Sequence, residues 1–248
     1  MDIKNLFRKK NNSPRCSAVI VAAGSSERMG TDKMLMELCG MPVIARTLTV
    51  FQQCPEIDDI VVVTRRDRIE MLAELCHKYG ISKVSQVVAG GATRAESALA
   101  GVSAVKCRAE LIAIHDGARP LVTGELISKT VSAAAEHLAA APGIKSTDTL
   151  KTVDEKGFIT STLDRSSIVR IQTPQIFNSD LIKGALTKAV SDKLAITDDC
   201  SAVEMMGVKT CIVDGENTNI KLTSPDDLVT AAAILSERGE ADAYRTRV

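Results

Sequence analysis

The stretch VIVAAGSSERMGTDKM, residues 19–34, begins as a buried-strand run and ends as a glycine loop that carries Arg28 and Lys33. Cations placed just beyond a strand end suggest a phosphate, and two familiar phosphate loops can be tested by spacing. A Walker A loop requires G-x-x-x-x-G-K-[ST], but five positions after Gly24 stands Met29, and Gly30 is followed by Thr31. A dinucleotide fingerprint requires G-x-G-x-x-G, but Ser26 occupies the place of its second glycine. Neither pattern holds. What remains is more general. Ala22, Ala23 and Gly24 let backbone N–H groups approach a ligand, and Arg28 and Lys33 set positive charge beside it, which suits a polyphosphate. On these residues alone, an ordinary turn glycine flanked by solvated charges explains the stretch equally well.

Composition narrows the choice. A chain of 248 residues with 45% hydrophobic content is long enough for one sizeable α/β core. A formal charge of zero, 2% aromatics and no tryptophan argue against nucleic-acid binding, which favours a basic face or stacking rings. No apolar run reaches the ~20 residues of a membrane helix. The opening MDIKNLFRKKNNSPR is basic but lacks the apolar core of a signal peptide, so the expectation is a cytoplasmic protein with a disordered leader over residues 1–15. Seven cysteines, at 16, 39, 54, 76, 107, 200 and 211, form no C-x-x-C pair and are read as small buried hydrophobes. His77 and His137 fall on helical stretches and are expected to face solvent.

Outward from the opening stretch, short β-branched runs alternate with helical ones. SAVIVAA, DDIVVVT, KVSQVVA and ELIAIHD have the length and Val/Ile content of buried parallel strands. Between them lie PVIARTLTVFQQ, opening on Pro42, then RIEMLAELCHKY, stopped by Gly80, and TRAESALAGVSAV. After the fourth strand, GELISKTVSAAAEHLAA reads as a helix ended before Pro142 and Gly143. This order predicts an α/β fold, a doubly wound, mostly parallel sheet forming one domain over residues 16–240. From residue 146 the period changes. Asp154–Gly157 reads as a hairpin turn within a β-arm over about 146–172, which returns to the body at Thr173-Pro174. An arm of that length needs something to cover its apolar face, and a second subunit is the economical partner.

In open α/β sheets, ligands bind beyond the carboxyl ends of the strands. The polar residues gather there: GSSERMGTDK after the first strand, GGATRAES after the third and HDGARP after the fourth. Asp116 at a strand end, followed by Gly117 and Ala118, suits either a turn cap or a Mg²⁺ shared with substrate phosphates. Arg119 is placed to reach the same phosphates or to make a surface ion pair. Gly90 and Gly91 permit close backbone approach to a base, with Arg94 and Ser97 on the following helix and Thr93 as its N-cap. In TNIKLTSPDDL, a strand reading turns Lys221 away from Ile220 and Leu222, either toward solvent, which the residues alone favour, or into the site. In TDD, residues 197–199, Thr197 or Asp198 is read as a helix cap.

Taken in order, AAGSSERM…DK, GGATRAES, HDGARP, DTLK, DRSSIVRIQTPQ, TDDCSAVE and NIKLTSPDDL resemble the 2-C-methyl-D-erythritol 4-phosphate cytidylyltransferase family over residues 17 to 237. The resemblance implies transfer of CMP from CTP to methylerythritol phosphate with release of pyrophosphate, assisted by Mg²⁺. It implies Arg28, Lys33 and Lys221 as catalytic cations and Asp116 as the metal's carboxylate. The CTP-binding set is then Ala22, Ala23, Gly24, Gly91, Arg94, Ser97 and Asp116. Arg119, Arg165, Thr173 and Thr197 fall around the acceptor phosphate. The resemblance further implies a homodimer through the arm, with Arg165 entering the neighbour's site. Ser26, Asp32 and Ala92 depart from residues the family often carries. Two alternatives remain at this level: a cytidylyltransferase for another polyol phosphate, such as ribitol phosphate, and a non-catalytic nucleotide-binding regulator.

Overall fold

The computed structural model describes residues 14–24, 32–106 and 108–241, so residues 1–13 of the leader expected over 1–15, together with Arg28 and Cys107, lie outside the described residues. The chain opens with β1 (Cys16–Val21), a small hairpin of β2 (Glu37–Leu38) and β3 (Met41–Pro42), and α1 (Val43–Gln53). Then come β4 (Ile57–Thr64), α2 (Ile69–Lys78), β5 (Val84–Ala89), α3 (Arg94–Ala104), β6 (Leu111–Asp116), α4 (Gly124–His137) and β7 (Ala139–Lys145). The arm contains β8 (Lys151–Val153) and β9 (Ile159–Thr162). The chain returns through β10 (Val169–Ile171) and β11 (Gln175–Asn178) to α5 (Ser179–Ser191), α6 (Asp199–Glu204), β12 (Cys211–Asp214) and α7 (Pro225–Glu237).

The main sheet runs β10-β7-β11-β6-β1-β4-β5, with β12 also paired to β7. β1 pairs in parallel with both β4 and β6, and β4 pairs in parallel with β5. β11 is antiparallel to both β6 and β7. Side chains alternate across this sheet, as the period of two requires. Ala18, Ile20, Ile60 and Val62 pack on one face with Ile44, Leu48 and Phe51 of α1, Leu72 of α2 and Ile127 of α4. Val19, Val61, Val63, Ile112 and Ile114 pack on the other with Ala98 and Val102 of α3, Ile182 and Leu186 of α5, and Val203 of α6. Both faces are therefore covered by helices, as the sequence predicts for a doubly wound sheet.

The helix expected over 124–140 is a correction. α4 stops at His137, Leu138 turns left-handed at φ 68°, and Ala139 begins a strand. An alanine run favours helix locally, but Ala139, Ala140 and Ala141 are fully buried, with Ala140 paired to both β11 and β12. Small side chains let this strand sit between its neighbours beneath the helices, and tertiary packing overrides intrinsic propensity. Pro42 likewise precedes α1 as its N-cap rather than starting it. The arm has its turn where expected: Gly157 N–H donates to Asp154 O (3.0 Å), and Gly157 takes the φ of +85° that glycine tolerates best. Of the described cysteines, Cys16, Cys54, Cys76 and Cys200 are buried, while Cys39 and Cys211 are partly exposed. His77 and His137 are exposed.

Candidate active site

The chain leaves β1 toward β4 on one side, and later crosses from β5 through α3 to β6 on the other. The strand order thus reverses between β1 and β6, and that switch point opens a crevice at the carboxyl ends of both strands. A cavity of about 410 Å³ lies there. Its walls include Ala22, Ala23 and Gly24 after β1, Lys33, Gly91, Arg94 and Ser97 around the start of α3, Asp116 at the end of β6, and Lys221. A second cavity of about 180 Å³ is lined by Arg94, Asp116, Arg119, Ile171, Thr173, Gln175, Thr197, Asp198 and Lys221. The two share Arg94, Asp116 and Lys221.

Asp116 sits at that junction, surrounded by cations from three different segments. Lys221 Nζ lies 2.8 Å from Oδ2, Arg119 Nε 3.7 Å from Oδ2, and Arg94 Nη2 3.7 Å from Oδ1. Burial alone would raise the Asp116 pKa, but Lys221, Arg94 and Arg119 outweigh it and bring it down to about 2. The carboxylate is therefore ionised at neutral pH. No strand forms over residues 220–222, so the strand reading of Lys221 is corrected; its side chain stays partly open to solvent while its amine pairs with Asp116 at the cavity wall. Leu222 N–H instead bonds Ala118 O (2.8 Å), which fixes the segment against the loop after β6.

Local chemistry explains how the other groups are held. Thr93 caps α3 by accepting from Glu96 N, and Glu96 returns the bond to the Thr93 N–H, forming a capping box. Glu96 Oε2 also accepts from Ala92 N (2.6 Å), which pins the glycine loop. A Cβ at Gly91 would come within 2.3 Å of Glu96 Cβ, so this tight turn requires glycine. Ser97 donates to Thr93 O (2.9 Å) and is buried at the cavity wall. Lys33 Nζ donates to Leu222 O (3.3 Å). Its neighbour Asp32 accepts from Met34 N and faces Arg68 Nε at 3.6 Å. Asp198 caps α6 by accepting from Ser201 N.

Arg119 is anchored by Nη1 donating to Asn219 O (2.7 Å). Thr173 Oγ1 accepts from Asp116 N (3.1 Å) and stands 3.0 Å from His115 Nδ1. His115 Nε2 is 3.2 Å from Arg119 O, an acceptor only, so the proton belongs on Nε2, and Nδ1 receives the Thr173 hydroxyl. Arg165 lies on the arm, exposed, with Nη1 donating to Thr147 O (3.2 Å), and lines neither cavity of its own chain. Three structural contributors were missed by the sequence reading. Asp199 and Gln175 are buried between α6 and β11, and fully buried Asn219 donates to Thr173 O (3.0 Å). Their motifs were visible, but nothing in the spacing of TDD, TPQ or TNIK marked which polar residue turns inward.

Neutral His115 makes stability depend on pH. Burial, opposed by Asp116, lowers its pKa from 6.5 to about 4. The unfolded chain therefore takes up a proton below pH ~6.5 that the folded chain refuses until about 4, and stability falls across that window. The loss should approach ~3 kcal/mol, and urea midpoints at pH 7 and pH 4.5 should differ more for the wild type than for His115→Gln. Equal pH slopes for the two proteins would contradict a buried neutral imidazole.

Comparison with known proteins agrees with this layout. Residues 16–237 match the family described as 2-C-methyl-D-erythritol 4-phosphate cytidylyltransferase. The chain is 42% identical over 224 residues to the protein of that name from Halalkalibacterium halodurans, covering 90% of this chain and 97% of the relative. It is 41% identical over 221 residues to the one from Clostridium novyi, covering 88% and 95%. Among solved structures, 4-diphosphocytidyl-2C-methyl-D-erythritol synthase from Anaerococcus prevotii superposes with a TM-score of 0.81 at 32% identity, over 90% of this chain and 97% of that one. The Thermus thermophilus cytidylyltransferase gives 0.72 at 27% identity, over 90% and 99%. With the match running from β1 to the end of α7 and the relatives covered almost end to end, this chain belongs to the 2-C-methyl-D-erythritol 4-phosphate cytidylyltransferase family.

Proposed function

We propose that this chain transfers CMP from CTP to 2-C-methyl-D-erythritol 4-phosphate, releasing pyrophosphate, in non-mevalonate isoprenoid precursor synthesis. The observation that carries the reading is the pair of cavities meeting at Arg94, Asp116 and Lys221. The larger one takes CTP, its triphosphate along the loop after β1 and its base near Gly91 and Ser97. The smaller one takes the acceptor phosphate against Arg119, Thr173 and Thr197. An oxygen of the acceptor phosphate attacks the α-phosphorus in line, the new P–O bond forms as the α–β bridge breaks, and the electron pair leaves with pyrophosphate. The attacking oxygen is already anionic, so positioning and charge neutralisation suffice without a strong base. Lys33, Lys221 and Arg28 neutralise charge on the triphosphate, and Arg119 holds the acceptor.

The donor set fits Mg²⁺. One ionised carboxylate, Asp116, faces the nucleotide cavity, and the described residues contain no cluster of three His, Cys, Asp or Glu side chains that would favour an all-protein metal cage. Asp116 would hold the ion, which supplies charge neutralisation to the bound triphosphate. No helix among the described residues is long and apolar enough to cross a membrane. A cytoplasmic address goes with the water-soluble phosphorylated substrates.

The arm gives the reading a second subunit. Val153, Phe158 and Ile159 are 60%, 68% and 64% exposed, and a two-stranded hairpin is marginal by itself. A second copy covers that face and receives Arg165 at its acceptor cavity. Light scattering at micromolar concentration should give the mass of a dimer; a monomer with full activity would remove the arm from the account. The activity itself is tested by pyrophosphate release from CTP with methylerythritol phosphate, ribitol phosphate or no acceptor, repeated with UTP. Release is expected with CTP and methylerythritol phosphate, at a kcat/KM well above every other pairing. A preference for ribitol phosphate would move the chain to another polyol.

A further inference from the structure

Arg94 occupies an unusual place. It is the first residue of α3, whose N-terminal loop faces the nucleotide, yet its side chain also lines the acceptor cavity. One nitrogen, Nη2, stands between two carboxylates, 2.7 Å from Asp199 Oδ2 and 3.7 Å from Asp116 Oδ1. Asp199 is fully buried, and its other oxygen, Oδ1, is buried with no hydrogen-bond partner among the described residues; the same is true of Arg94 Nη1. The backbone of Asp199 is itself tied down. Gln175 Oε1, on β11, accepts from Asp199 N and Cys200 N, each at 3.0 Å, while Gln175 Nε2 donates to Asp198 Oδ2 at 2.9 Å. An unbroken polar chain therefore runs from the sheet through the start of α6 to the guanidinium at the cavity junction.

We propose that Asp199 is a positioning residue for the transfer: it holds the Arg94 guanidinium at the wall common to both cavities. There the guanidinium offsets the repulsion between the acceptor phosphate and the α-phosphate. This role rests on the transfer reaction proposed above. A buried ion pair that leaves one oxygen and one N–H group unpartnered is a poor device for stability alone, since apolar packing of the same volume often does as well. It is a good device for fixing a planar cation. Lys221 and Arg119 already flank Asp116, and Asp199, the nearer of Arg94's two carboxylates at 2.7 Å against 3.7 Å, sets where along the shared wall the guanidinium rests. Misplacement of a positioned group by about 1 Å can cost up to ~10² in rate, because two anions must be brought into line.

The test is steady-state kinetics on full-length Asp199→Asn, Arg94→Ala, Arg94→Lys and the double variant Asp199→Asn/Arg94→Ala, with melting curves alongside. Asp199→Asn should lower kcat ~10-fold or more, with KM for CTP within about threefold of wild type. The double variant should be no slower than Arg94→Ala, because Asp199 acts through Arg94. Arg94→Lys should fall nearly as far as Arg94→Ala, since one ammonium cannot replace the planar fork. Wild-type kcat in folded Asp199→Asn, or losses that multiply in the double variant, would overturn the role. If Asp199→Asn fails to fold, Arg94→Lys decides: a kcat near wild type overturns the role, and a loss matching Arg94→Ala supports it. A wild-type protein that releases no pyrophosphate from CTP and methylerythritol phosphate would refute the transfer reaction itself, and this role with it.

Discussion

Replacing Lys221 by alanine is expected to lower kcat by ~10² or more, the scale lost when a preorganised electrostatic contact to a developing charge is removed. The amine lies 2.8 Å from Asp116 on the wall shared by the two cavities, so it can exchange its carboxylate for a phosphate oxygen as substrates enter. Lys221→Arg should recover only part of the loss, because a planar fork cannot take the place of a compact ammonium. Stability should change by no more than ~1 kcal/mol, since the Lys221 side chain is 41% exposed and Asp116 keeps Arg94 and Arg119. A folded Lys221→Ala protein with near wild-type kcat would return this residue to the surface.

Asp116→Asn should do more, because it acts on both fold and chemistry. The carboxylate is the common counter-ion of three cations, and removing it leaves them facing one another in a largely buried site, at a cost of ~3 kcal/mol. Activity should fall by ~10² to 10³, through loss of the carboxylate proposed to hold the metal and of the arrangement of Lys221 and Arg94. The stability difference carries a pH signature. A carboxyl brought down to about 2 contributes fully above the unfolded value of ~3.9 and loses its contribution as pH falls through that window. Urea midpoints of wild type and variant should therefore converge only below pH ~4. A constant difference down to pH 2 would mean that Asp116 matters through packing.

The sheet was legible in the sequence because its central strands β1, β4 and β6 are largely buried and read as near-continuous apolar runs, while the edge strand β5 keeps enough valine to be found. β5 and β6 fall within the stretches expected to hold them, and β1 and β4 each begin one residue earlier, at Cys16 and Ile57. β7 was not legible. Its Ala139–Ala141 segment has the composition of a helix, and only its position between β11 and β12 makes it a strand. At the site, the loops after β1 and β6 and the start of α3 were marked by glycine, small residues and cations, and the fold brings them to one crevice. The direction of individual side chains was not marked. Lys221 looked solvent-facing because its neighbours are apolar, and its reach to Asp116 goes with a long-range bond between Leu222 and Ala118. Asp199 was indistinguishable from a capping residue, because the arginine it pairs with is 105 positions away.

The central claim is that the two cavities hold CTP and a phosphorylated acceptor side by side, with the acceptor's oxygen attacking the α-phosphorus. It is tested most directly by following ¹⁸O from the terminal oxygens of labelled methylerythritol phosphate with ³¹P NMR. The account predicts label in the bridging oxygen and on the acceptor-derived phosphorus of the cytidine diphosphate ester, with unlabelled pyrophosphate. Label in the released pyrophosphate, or no ester formed at all, would contradict it.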